Sequence, residues 1–183
     1  MPNLFLSPSV QEFNPYVNGL GTEEYYMNLI ADAMEPYLIA SGINFTRNNP
    51  NDTLRQVIEL SNAGNYDFHL ALHSNASPEI LAGQLQGSDV YYYTTSAEGL
   101  RAAEIFAGNL KVIYPDPALV KPVPSTTLAE LRLTRAPSNL IELAYHDNLE
   151  DALWIIENIG LIAQTLVLAL TEYFDIPFVD PVI

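Results

Sequence analysis

The sequence predicts an α/β fold: one domain over residues 1–183, built on a mixed, mostly parallel central sheet of about five to six strands with helices on both faces. Three observations carry this. Short apolar runs alternate with segments whose apolar residues recur at helical spacing, the pattern of strands joined by crossover helices. Hydrophobic residues make up 49% of the 183, enough to fill one core. No internal repeat, low-complexity segment or linker interrupts the alternation.

Leu4-Phe5-Leu6 is a short apolar strand closed by Ser7-Pro8-Ser9. A loop with Asn14, Pro15, Asn18, Gly19 and Gly21 follows. Thr22 then suits a helix N-cap, and Glu23 and Glu24 fall in the first turn, where the helix dipole favours acids. Tyr26, Leu29, Ile30, Ala33, Met34 and Tyr37 recur on one face of that helix. Pro36 is placed to kink it and Gly42 to end it. Ile43–Thr46 alternates as a strand, Asp52 caps a second helix to about Ala63, and Tyr66–Leu72 and Val90–Tyr93 are the next strands. Ser96 caps a helix from Ala97 to about Leu110. Pro115, Pro117, Pro122 and Pro124 mark a long connection that reads as a lid or substrate wall. Leu128–Leu133 fits a strand, and Leu140–Ala144 reads as one. Asp147 or Asn148 caps a last helix, Leu149–Phe174, whose second half is apolar nearly all round. The tail from Asp175 has two prolines and no period.

Composition narrows the partners. With 22 acidic and 7 basic residues the net charge is -15. Few cations are available to replace condensed counterions, so neither nucleic acid nor an anionic membrane is an expected partner. The absence of cysteine excludes disulfides and thiolate metal sites. The apolar stretch around Leu166–Leu170 is broken by Gln164, Thr165 and Glu172 and is too short to span a bilayer, so no membrane insertion is expected. The first residues carry no basic region, and their apolar run is too short for a signal peptide.

The chemistry concentrates at three positions. His73 closes the apolar run Phe68-His69-Leu70-Ala71-Leu72 just before the polar Ser74-Asn75. Glu142 lies inside the apolar run Leu140-Ile141-Glu142-Leu143-Ala144, where an ionised carboxylate is costly unless paired or bound. Glu24 opens a helix after a glycine-bearing loop. In a parallel sheet, strand exits and helix starts gather at one edge, which brings such residues together. A histidine with two carboxylates is a set that suits zinc hydrolysis. Each residue also has a plain structural use: Glu23 and Glu24 as helix-start acids, His73 as a satisfied core histidine, His146 as a loop cap. His69 shares a strand face with His73 but lies about 13 Å away at roughly 3.3 Å per residue. The two cannot share an ion, and His69 reads as structural.

The order of these motifs resembles the zinc-dependent N-acetylmuramoyl-L-alanine amidases, the peptidoglycan-cleaving domains of autolysins and phage endolysins. The likeness lies in His73-Ser74-Asn75-Ala76, in Gly21-Thr22-Glu23-Glu24 with Asn28, in Thr46-Arg47, in Gly87 followed by Tyr91-Tyr92-Tyr93, and in Arg135–Asn148 around Glu142. It runs from about Leu4 to Tyr173. The resemblance implies an amidase that cuts between N-acetylmuramic acid and the L-alanine of the stem peptide. Zinc would be held by Glu24, His73 and a third ligand, with Glu142 as general base. It also implies peptidoglycan as partner and synthesis in the cytoplasm with action on the cell wall.

One departure stands out. The family places a first metal histidine after its first strand, whereas this chain reads Leu6-Ser7-Pro8-Ser9-Val10-Gln11-Glu12-Phe13. Gln11 or Glu12 is then the third ligand, Gln11 the one assigned, and amide oxygen is a poor donor to zinc. An impaired module that binds wall peptides or a protein partner is the alternative from another class. A hydrolase of some other amide is a third reading.

Overall fold

The two runs that carry His73 and Glu142 become the central strands. In the computed structural model, which describes residues 1–181, β3 (Phe68–Asn75) pairs in parallel with β6 (Ser138–Tyr145). On one side the sheet continues through β1 (Asn3–Pro8) to β2 (Asn44–Arg47), both parallel to β3. On the other side β4 (Ser88–Tyr93) runs antiparallel to β6 and carries β5 (Val120–Ser125) at its edge. The order is β2-β1-β3-β6-β4-β5, a six-stranded mixed and mostly parallel sheet, as the alternation of elements predicts.

Strand alternation sorts the side chains into two unlike faces. Leu4, Leu6, Leu70, Leu72, Val90 and Ile141 pack with the buried stripes of α1 (Glu23–Ala40), α3 (Ala97–Ile113) and α6 (Ile159–Phe174) in the main core. The opposite face carries Phe5, His69, Ala71, His73, Leu140 and Glu142. It has a lighter cover, α2 (Leu54–Ala63) and the one-turn α4 (Ala129–Arg132). Polar groups therefore sit on the thinly covered face, and the rigid core behind holds their strands in register.

Four expectations change. Leu128–Leu133 contains α4 and no strand. Leu128 and Leu131, one helical turn apart, pack together on Ala71 and Leu140. The proline-rich connection is in large part β5, and Pro122 and Pro124 sit on the edge strand, where a proline without an N–H leaves no interior gap in the ladder. The last helix is two: α5 (Leu149–Glu157) and α6 meet at Asn158 with a bend of 77°. Asn158 has φ -119° and ψ 20°, and its side-chain amide donates to the Trp154 carbonyl, which turns the chain out of the helix. Thr53, not Asp52, caps α2, in a reciprocal capping box with Gln56, while Asp52 accepts from the Asn49 N–H in the turn before it. Among the described residues no single helix is long and apolar enough to cross a membrane.

Candidate active site

His73 and Glu142 are register partners on adjacent strands, and Asp89 stands opposite Glu142 on β4. Residues directly opposite share a face, so the three form a row across the sheet. The first turn of α1 brings Glu23 to one end of the His73 ring, and α4 brings Glu130 to the other. Glu23 Oε1 lies 2.7 Å from His73 Nδ1, and Glu130 Oε1 lies 3.4 Å from Nε2. Gln11 Nε2 lies 3.3 Å from the same Nδ1. Asn14 ties these groups together, its amide donating to Gln11 Oε1 at 3.0 Å and to Glu23 Oε2 at 2.7 Å.

Glu130 is the hub behind the histidine. Its Oε2 accepts from the Ser7 hydroxyl at 2.6 Å and lies 2.8 Å from His69 Nε2. His69 is fully buried, stacked on Phe5 and bonded through Nδ1 to Ser61, which suits the structural role read from the sequence. His146 lies 2.8 Å through Nδ1 from the Ser74 carbonyl and stacks on Tyr16, so it fastens the loop after β6.

The charges are strongly coupled. Burial pulls the His73 imidazole down. The hydrogen bonds to Glu130 and Glu23, with the charges of Glu142 and Glu23, outweigh that and raise it well above its ordinary value. Burial pushes Glu23 and Glu130 up, but their bonds to His73, and for Glu130 to His69, hold both carboxyls below the usual range. Glu142 goes the other way. Desolvation raises it to about 7; the His73 charge opposes this, and those of Glu23 and Asp89 reinforce it. Its Oε2 is buried and has no hydrogen-bond partner among the described residues.

Of the site residues read from the sequence, the structure brings together His73, Gln11 and Glu142. It places Glu24 elsewhere, with Oε1 accepting from Asn28 Nδ2 at 3.1 Å, and sets Glu23 against His73 instead. The reason is helical phase. Glu23 lies three, four and seven residues before Tyr26, Met27 and Ile30, the buried stripe of α1, whereas Glu24 is rotated a step away from it. That spacing was legible in the sequence. Glu130 was missed, because Leu128–Leu133 read as a strand. A carboxylate flanked by Leu128 and Leu131 was its only signal.

Whether the residues suit a metal follows from the donors. Among the described residues no three His, Cys, Asp or Glu side chains converge as ligands. Two do, His73 through Nδ1 and Glu23 through Oε1, and Gln11 adds an amide. Glu23 Oε1 and Gln11 Nε2 meet His73 Nδ1 at 2.7 and 3.3 Å, hydrogen-bond distances that bring the three side chains to one point. Three carboxyl groups, Glu23, Glu130 and Glu142, surround one histidine, and one Glu142 oxygen has no partner among the described residues. The set suits a divalent cation held through two strong donors, while the Gln11 amide, whose oxygen accepts from Asn14, is at best a weak third.

Beside this centre opens a cavity of about 580 Å³. The loop Ser7–Phe13 lines one side, Pro50–Leu54 with Val57 another and Leu128–Glu130 a third, and His73, Leu140 and Glu142 line it from the sheet.

The fold recurs in solved structures. The amidase AmiC2 of Nostoc punctiforme superposes with a TM-score of 0.81 at 19% identity, over 95% of this chain and 97% of that one. The CwlD amidase of Clostridioides difficile, solved with the GerS lipoprotein, gives 0.83 at 15% identity over 96% and 99%. The catalytic domain of the CD27L endolysin, which targets Clostridia difficile, gives 0.74 at 22% identity over 94% and 98%. No curated protein matches the chain in sequence. The family model described as N-acetylmuramoyl-L-alanine amidase matches residues 14–172, starting just past Gln11. A match over that much of the sequence, on a fold shared with these amidases, makes the chain a member of the N-acetylmuramoyl-L-alanine amidase family.

Proposed function

We propose that this protein hydrolyses the amide bond between N-acetylmuramic acid and the L-alanine of the peptidoglycan stem peptide, with Glu142 as general base and then general acid. The observation that carries the reading is Glu142 itself: a carboxyl held at about 7, with an oxygen that has no partner among the described residues, lining the cavity. A group poised near neutrality can take a proton from an attacking water and return it to the leaving amine. His73 stands beside it, fixed at one nitrogen by Glu23 and at the other by Glu130. Phe13, Leu54, Val57 and Leu140 give the cavity apolar walls against which the peptide can exclude water. His73, Glu23 and Gln11 are the residues that would hold zinc. When bound there, it supplies Lewis-acid polarisation of the scissile carbonyl. On this reading the protein acts on the cell wall.

The test is release of stem peptides from purified walls, with and without added zinc. Wild type should release them, and Glu142→Gln should lower turnover by about a hundredfold or more. Unchanged turnover in the variant would remove Glu142 from the mechanism. A wild type that binds walls but never cuts them, even with zinc, would make the chain the binding module that Gln11 allows.

A further inference from the structure

Every charged side chain that lines the cavity, His73 aside, is acidic: Glu12, Asp52, Glu130 and Glu142. None of the 7 lysines and arginines lines it. Several are engaged elsewhere: Arg47 with Asp32 and Glu35, Arg55 with Glu59, Arg101 with Glu98, and Lys121 with Asp89. Apart from His73, which Glu23 and Glu130 already engage, a ligand's own carboxylate would meet no basic side chain in this cavity and several like charges around it.

We propose that the cavity selects stem peptides whose second residue carries a carboxamide in place of a free α-carboxylate, D-isoglutamine rather than D-glutamate. The inference rests on the amidase reading, because that reading puts the second residue close to the cavity. With Glu142 at the scissile bond, two residues of extended chain reach roughly 7 Å from it. Glu12 and Asp52 line the same cavity as Glu142. A carboxamide there is neutral, and its N–H groups donate to side chains that can only accept. A carboxylate is repelled by the same oxygens. A tenfold difference in affinity, the scale expected of one nearby like-charge pair, corresponds to about 1.4 kcal/mol.

Titration calorimetry separates this inference from the reading beneath it, because it uses the uncut product peptides L-Ala-D-isoGln-L-Lys and L-Ala-D-Glu-L-Lys. The wild-type protein should bind the amidated peptide about tenfold more tightly at low salt. The gap should narrow in 0.3 M salt, where the Debye length falls below about 8 Å. The double variant Glu12→Gln, Asp52→Asn should close most of it. Equal affinities, a preference for the glutamate peptide, no measurable binding of the amidated peptide, or a gap indifferent to the double variant would each overturn the inference. A tenfold gap with no cleavage of amidated walls would overturn the amidase reading and leave the selectivity standing. Cleavage with equal affinities would do the reverse.

Discussion

Replacing Glu142 with glutamine should make the metal-free protein more stable at neutral and alkaline pH while it removes activity. The carboxyl sits at about 7 in the fold against an ordinary 4.5. Each pH unit between those two values is worth about 1.36 kcal/mol, so the folded state loses up to about 3 kcal/mol to this one group. The sign follows from proton counting. Below pH 4.5 the carboxyl is neutral in both states and costs nothing. Between 4.5 and 7 the unfolded chain ionises while the folded one does not, and stability falls as pH rises. Above 7 the loss is complete. Glutamine keeps the shape and never ionises, so variant and wild type should differ by well under about 1 kcal/mol at pH 4 and by about 2–3 kcal/mol at pH 8. Urea unfolding in a chelating buffer across this range measures it. A difference that stays constant from pH 4 to 8, or that runs the other way, would show that Glu142 is not held neutral by its surroundings.

Three other outcomes are expected. Purified protein should carry less than one equivalent of zinc and lose it to a mild chelator. Gln11→His should raise occupancy and His73→Ala should abolish it; tight stoichiometric zinc surviving His73→Ala would place the metal elsewhere. Glu130→Ala strips Ser7, His69 and His73 of a shared buried partner and should cost about 3–5 kcal/mol in chemical denaturation, whereas a loss under about 1 kcal/mol would contradict its place as the hub. At a net charge of -15 the protein should bind intact, anionic-polymer-rich walls better as salt rises to about 0.1 M. A steady fall with salt would mean that a local basic patch governs the contact.

The architecture was legible wherever one periodicity ruled. β3 and β6 announced themselves as mainly apolar runs because both of their faces are covered. α1 was readable from its stripe and its Thr22 cap. The misreadings fall where tertiary packing overrode the local signal. A run of leucines around Glu130 is equally a buried strand or one helical turn, and only the groove above Ala71 and Leu140 decides. Two consecutive helices with no proline between them read as one until Asn158 bends the path. In the site, His73 and Glu142 were legible because polar residues inside apolar strands need a reason. Glu23 was hidden by its neighbour Glu24, although the phase of α1 distinguishes them. Glu130 was hidden because its partners, Ser7, His69 and His73, lie more than fifty positions away in the chain.

The central claim is that this site cuts the bond between the sugar and the first stem residue. Mass spectrometry of purified walls digested with the zinc-supplemented protein tests it most directly. The account predicts free stem peptides with new L-alanine amino termini and glycan strands without new reducing ends, and neither product with Glu142→Gln. New reducing ends, or peptides cut within the stem while the lactyl amide stays intact, would contradict it.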